Sequence, residues 1–215
     1  MRESPRTRRL RTDLRSLEKL RDDSSILDFT VPGTLYSGPP ETYLIRFRGR
    51  GFWRTDGTPD VLVREYHEVA IQLGASYPRM MPELSWKTPV FHPNISGSGV
   101  VCLGGYGTHW VPSLNLDELC GMLWDMIRYE NFDVESPYNR EAAYWAKTQQ
   151  SFPLPIDARP LRDKVSGGEP TEAEIARPPI AAVPRAPTDV MFIGSDEIID
   201  AEIVEPEDPD IMFIE

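Results

Sequence analysis

At 215 residues the chain is long enough for one domain plus an appendage. Its net charge of −11 resides in residues 169–215, where 13 acidic side chains stand against 2 basic ones, and the remaining 168 residues carry 21 of each. That balance leaves no basic excess for nucleic acid, two cysteines do not make a disulfide framework, and no apolar run approaches the roughly 18 residues of a membrane span. With no signal-peptide core behind the Arg-rich start, the expectation is a soluble cytoplasmic protein with no nucleic-acid or membrane partner.

In chain order, residues 6–23 predict a first helix, with Leu10, Leu14, Leu17 and Leu20 as its apolar stripe and Arg8, Arg9, Arg11 and Arg15 on the rest. Residues 26–31, 43–53, 65–73 and 83–86 read as successive strands. Tyr43, Ile45 and Phe47 alternate with Leu44, Arg46 and Arg48, and Tyr66, Val69 and Ile71 support the third strand less regularly. Turns at 49–51 and 54–60 make the set an antiparallel meander with helices on one face, an α+β fold. Leu116, Leu119, Leu123, Met126 and Ile127 mark a helix over 116–130, with Asn115 at the cap and Glu118 at the reciprocal position. Cys120 and Met122 belong to this helix as packing residues. A last helix over 139–149 packs through Ala142, Ala143 and Trp145, closing a domain of residues 1–150. Eight prolines between 153 and 187 exclude regular elements and predict a linker over 151–187. The acidic tail, 188–215, holds two near copies, Asp189-Val190-Met191-Phe192-Ile193 and Asp210-Ile211-Met212-Phe213-Ile214. Such β-prone runs suit strand addition to a partner's sheet edge.

The chemistry centres on His92-Pro93-Asn94, a Gly-rich connection, and the apolar run Val100-Val101-Cys102-Leu103, after which Gly104, Gly105 and Gly107 open the chain again. A thiol on an ordered segment between loops has the setting of a nucleophile, although a free cysteine is also a common core residue. Cys102 lies eight residues after Asn94, and Trp110 eight residues after Cys102, followed by Pro112 and Leu114.

This segment resembles the active-site segment of ubiquitin-conjugating enzymes. Tyr77-Pro78-Arg79-Met80-Met81-Pro82 is similar to that family's Tyr-Pro-x-x-Pro-Pro, with Met81 in place of a proline. Residues 135–143, Glu-Ser-Pro-Tyr-Asn-Arg-Glu-Ala-Ala, are similar to its Asp-Asp-Pro-Leu-Asn-Pro-Glu-Ala-Ala. The blocks come in the family's order and the resemblance covers residues 5–150. It implies the corresponding fold and an acyltransferase that takes a ubiquitin-like protein as a thioester on Cys102 from an activating enzyme. It further implies transfer to an amine acceptor, with a ligase as an optional partner and no cofactor or metal. The basic first helix then becomes the docking surface for the activating enzyme, through Arg8, Arg11 and Arg15. Divergence outside the blocks leaves a non-standard pathway, bacterial ones included, open.

An unperturbed thiol, of pKa about 8.5, is a good nucleophile without a strong base, so transthioesterification needs chiefly access and an oxyanion donor. Asn94 supplies a side-chain amide, which in the resembled family either serves as that donor or orders the loop beside the cysteine. His92 reads as structural rather than as a general base. A lysine acceptor of pKa about 10.4 must lose a proton, and the family uses an aspartate where this chain has Ser136. Glu135 lies one residue earlier and Asp133 three, which leaves two readings open, a substitute carboxylate nearby or an unusual acceptor, and His109 is a candidate assistant from the loop after Cys102. Two other readings stand beside this one. The first is a non-catalytic binding module on the same fold, and the second a cysteine hydrolase pairing Cys102 with His92 or His109.

Overall fold

The computed structural model describes residues 3–33, 38–55, 57–104 and 110–165. His109 and the acidic tail with its repeated motifs lie outside them. Helix α1 spans Pro5–Asp23, strands β1 Leu27–Thr30, β2 Thr42–Arg54, β3 Val61–Gln72 and β4 Glu83–Trp86, and helices α2 Leu116–Ile127 and α3 Arg140–Thr148. The four strands form one antiparallel sheet in the order β1-β2-β3-β4. This is the meander that the alternation on β2 predicts.

Local chemistry sets each element. Ser4 caps α1 by accepting the Thr7 N–H at 3.0 Å, and Pro5 occupies the first turn, where its missing N–H costs nothing. Tyr43, Ile45 and Phe47 on β2 and Val69 and Ile71 on β3 are buried against Leu119, Leu123 and Trp124 of α2. A second aromatic cluster gathers Phe52, Phe91 and Tyr129 with Trp145 of α3. The close seat of α2 on β2 requires glycine: a Cβ at Gly49 would lie 2.3 Å from Trp124 Cη2, and one at Gly51 would lie 2.8 Å from Ile127 Cγ1.

Several expectations are corrected. β3 begins at Val61 rather than 65, because β2 and β3 stay paired through Phe52 and Val63 beyond a register shift between Arg48 and Gly51. That shift breaks the period-two pattern. Tyr66 faces solvent, and His67 takes the buried place beside Val69. On α1 the buried set is Leu10, Leu17 and Leu20 together with Asp13, and Leu14 is only half-buried. Residues 151–165 form no helix or strand, yet they are packed rather than a free linker: Ile156 joins the aromatic cluster, Leu161 joins the main core, and Trp124 Nε1 donates to Arg159 O at 2.9 Å. Asp157 is buried, bridges the Arg50 backbone N–H and the Arg159 guanidinium, and is held down to a pKa of about 2 by those bonds against its own burial. The remainder of the expected linker, from 166 on, lies outside the described residues.

Asp13, 0% exposed, joins α1 to α2. Its Oδ2 accepts from Arg9 Nε at 2.9 Å and Tyr77 Oη at 2.8 Å, and its Oδ1 accepts the Leu116 N–H at 3.3 Å. A carboxylate from α1 thus satisfies an orphan donor in the first turn of α2 and sits where that helix's dipole favours negative charge. Glu118 accepts the Asn115 N–H at 2.7 Å, so α2 enters from both sides pinned.

Two predictions follow from this core. Asp13→Ala leaves the Arg9 cation, the Tyr77 hydroxyl and the Leu116 N–H without their partner, and a denaturant melt should lose about 3 kcal/mol or more; a loss under about 1 kcal/mol would contradict the role. His67 and His92 are both buried, which lowers their pKa values to about 4 and about 3 from an ordinary 6.5. Above pH 6.5 neither state is protonated and the rings are neutral in their effect. Below it the unfolded chain gains protons that the native chain refuses, so stability falls. Unfolding free energy should drop between pH 7 and 5 by about 2 kcal/mol per ring. A flat profile over that window would place the rings in water.

Candidate active site

Three irregular stretches of chain meet at Pro93-Asn94. Past His92 the backbone turns, with Ile95 N donating to His92 O at 3.3 Å, and returns through a tight loop in which Gly99 N donates to Ser96 O at 2.9 Å. Gly99 adopts φ +85°, and a Cβ there would strike the Trp86 carbonyl oxygen, so the loop needs glycine. The return lays Val101 beside Ile95 and brings Cys102 N to Asn94 O at 2.9 Å. From the other side, Tyr138 N and Asn139 N donate to Pro93 O at 2.8 and 2.9 Å.

The Asn94 side chain completes the junction. Its Nδ2 donates to Asp133 O at 2.8 Å and its Oδ1 accepts from Asp133 N at 2.7 Å. With 5% of the residue exposed, this reciprocal pair ties the segment after α2 to the segment before Cys102. The geometry therefore gives Asn94 the loop-ordering place directly; one of its two amide hydrogens is committed to Asp133.

Cys102 is half-buried, whereas Cys120 is fully buried in α2, where burial pushes its thiol pKa up. Cys102 borders a small cavity of about 60 Å³ shared with Asn94, Leu103, Met122, Met126 and Phe132. Met122, expected only to pack, thus also lines the thiol's surroundings. The neighbouring Cys102 thiol holds the Tyr138 phenol above its ordinary pKa.

His92 is buried, accepts the Asn94 N–H on Nδ1 at 3.0 Å and packs edge-on against Tyr129 at 4.8 Å. Its place is in the core, which removes it as the base of a cysteine hydrolase. Asp133 Oδ1 accepts the backbone N–H groups of Glu135 at 2.7 Å and Ser136 at 3.3 Å, shaping a turn. The Glu135 carboxylate pairs with Lys147 Nζ at 2.7 Å on the surface. Arg8, Arg11 and Arg15 are exposed on α1, Arg11 pairing with Glu3 at 3.1 Å. Arg9 is structural: it reaches Asp13, Tyr77 and the carbonyls of Pro112 and Leu114. Trp110 Nε1 donates to Pro78 O at 2.7 Å, which joins two of the blocks singled out in the sequence. The sequence reading missed the pairing of Asn94 with Asp133, a contact between residues 39 apart that leaves no local pattern. Among the described residues no three His, Cys, Asp or Glu side chains gather to hold a metal ion, and no helix is long and apolar enough to cross a membrane.

A profile of the family described as ubiquitin-conjugating enzyme matches residues 61–154. A Schizosaccharomyces pombe protein named ubiquitin-conjugating enzyme E2 16 is 34% identical over 79 residues, covering 36% of this chain and 48% of that relative. A Drosophila melanogaster protein named Nedd8-conjugating enzyme UbcE2M is 30% identical over 134 residues, covering 60% of this chain and 68% of that relative. The solved structure of S. cerevisiae Ubc12 aligns with a TM-score of 0.53 and 22% identity over 70% of this chain and 75% of that one, a likeness of fold. This chain therefore spans about half the length of the S. pombe relative and about two thirds of the Drosophila one.

Proposed function

We propose, on the premise that this chain belongs to the ubiquitin-conjugating enzyme family, that Cys102 takes the acyl end of a ubiquitin-like protein from an activating enzyme and passes it to an amine. The observation that carries this reading is the half-buried Cys102 thiol, pinned through its backbone to Asn94 and open to a small cavity rather than sealed in the core. A non-catalytic module has no need to keep a thiol in that position.

Charging exchanges one thioester for another. The Cys102 thiolate attacks the carbonyl carbon, the bond from that carbon to the activating enzyme's sulfur breaks, and that sulfur leaves with the electron pair. In discharge the acceptor nitrogen attacks the same carbon, the C–N bond forms, the C–S bond to Cys102 breaks and the nitrogen gives up a proton. Asn94 supports this step by holding the 131–136 segment against the thiol, and its second amide hydrogen is free to meet the developing oxyanion. Ser136 supplies no carboxylate to the acceptor, so Glu135 takes that part. Its pairing with Lys147 is exposed, worth little in water and readily given up.

Arg8, Arg11 and Arg15 present a basic face on α1 suited to an acidic surface of the activating enzyme. The names of the two relatives make ubiquitin-like and Nedd8-like proteins the first cargoes to try, with a ligase as a further partner.

The test is a charging assay with an activating enzyme, ATP and the cargo. The full chain should form a thiol-sensitive adduct, Cys102→Ser should give none or a thiol-resistant ester, and Cys120→Ser should charge normally; charging through Cys120 would overturn the assignment. Asn94→Ala should still charge but discharge to an amine about 10²-fold more slowly, whereas an unchanged discharge rate would remove Asn94 from the step.

A further inference from the structure

The loop that leads into Cys102 also walls another, larger cleft, of about 480 Å³, completed by the end of β2, residues 86–91 and the N-cap of α3. That volume lies in the range of ligand pockets. Its charge has one sign: Arg54 and Lys87 line it, Thr55, Ser96 and Ser98 add hydroxyls, and none of the described residues lining it is acidic. Lys87 is exposed and has no ion-pair partner among the described residues. Arg54 lies over the Phe91 ring at 4.5 Å and pairs with Glu141, whose side chain is 68% exposed, so a competing carboxylate can take over that pairing at little cost. Arg64 braces two of the walls, its guanidinium 4.5 Å over the Trp53 ring and donating to Pro89 O at 3.3 Å.

The cleft is tied to the thiol through the backbone. Ser96 N donates to Val100 O at 2.9 Å and Ser96 Oγ accepts the Val100 N–H at 3.0 Å, which fixes the loop to the run that carries Cys102. Asn139, another lining residue, has its N–H on Pro93 O, next to the Asn94 carbonyl that holds Cys102 N. Gly99 lines the cleft and precedes Cys102 by three residues, so at most about 11 Å separates their Cα atoms. An extended peptide whose lysine reaches the thiol would place a side chain about three positions away in the cleft.

We propose that this cleft is a specificity site for an acidic stretch of the acceptor protein, a few residues from the lysine that receives the acyl group, with Lys87 and Arg54 as its carboxylate-binding cations; this rests on Cys102 being the acyl carrier. The bonds exchanged are those of discharge: C–N forms, C–S breaks with its electron pair passing to sulfur, and the nitrogen gives up a proton. What the cleft adds is position. Carboxylates held in charge-assisted hydrogen bonds keep the amine beside the carbonyl carbon and raise its effective concentration. Glutamine has nearly the shape of glutamate without the charge, and forfeits that hold.

The test compares two peptides, each with one lysine followed about three positions on by a short run of glutamates or, in the second, of glutamines. Charged with a ubiquitin-like protein and chased with sub-saturating peptide, the full chain should discharge to the glutamate peptide about tenfold faster. Lys87→Glu, at an exposed position, should abolish or invert that ratio, and Lys87→Arg, which keeps the charge, should retain it. Equal rates on the two peptides, or a preference that survives Lys87→Glu, would overturn the site while leaving the carrier reading intact. A second readout needs no cargo: fluorescence anisotropy of the labelled peptides with the uncharged chain. The glutamate peptide should bind about tenfold more tightly than the glutamine one, and Lys87→Glu should erase the difference. Binding indifferent to peptide charge, or lost on Arg11→Glu in α1 but kept in Lys87→Glu, would overturn the cleft as its place, even if no cargo is ever found to charge the chain.

Discussion

Pro93 and Asn94 hold the site together, because two residues satisfy the backbone of three separate segments. The Asn94 carbonyl takes the Cys102 N–H, its side chain pairs with the backbone N–H and C=O of Asp133, and the Pro93 carbonyl takes the N–H groups of Tyr138 and Asn139. Each such bond contributes only about 1 kcal/mol net, yet leaving buried members unpaired costs more than making them gains. The dipeptide is therefore hard to alter without releasing the cysteine, the turn at Asp133 and the tyrosine at once. Proline contributes a fixed φ and no N–H of its own, which suits a position whose work is to accept.

The remainder of the fold supplies the stiffness behind that junction. α2 lies on β2 closely enough that Gly49 and Gly51 have no room for a Cβ, and its start is held by a carboxylate reaching across from α1. Tyr129 follows α2 with φ 60°, in the left-handed region, and its hydroxyl donates to Phe91 O at 2.6 Å. That sharp exit returns the chain toward His92 and delivers Asp133 to Asn94. A half-buried thiol on such a frame keeps its place while one side of it stays open to the cavity it borders.

Much of this was legible in the sequence. The leucine spacing of α1 and α2 and the alternation of β2 gave the sheet and its covering helices, and the spacing from Asn94 to Cys102 to Trp110 located the site. What escaped did so for physical reasons. Asp13 lies on the apolar stripe of α1, but a carboxylate in a helix reads as solvated unless the distant Arg9-to-Tyr77 and Leu116 partners are already in view. Residues 151–165 are proline-rich, and proline forbids ladders and helices without forbidding burial, so Ile156 and Leu161 were read as linker when they are core. The pairing of Asn94 with Asp133 joins residues 39 apart in sequence, and no periodicity reports such a contact. Glu135 and Ser136 were placed near the thiol by resemblance alone. In the structure their backbone N–H groups are held by the Asp133 carboxylate.

The reading of Cys102 as an acyl carrier stands on access, a pinned backbone and family membership together. Intact-mass measurement of the chain after incubation with an activating enzyme, ATP and a ubiquitin-like protein, followed by peptide mapping, tests it most directly. The account predicts a mass increase of one cargo less one water, lost on treatment with thiol and mapped to the peptide containing Cys102. A cargo found instead on Cys120 or on a lysine of an otherwise uncharged chain would contradict it.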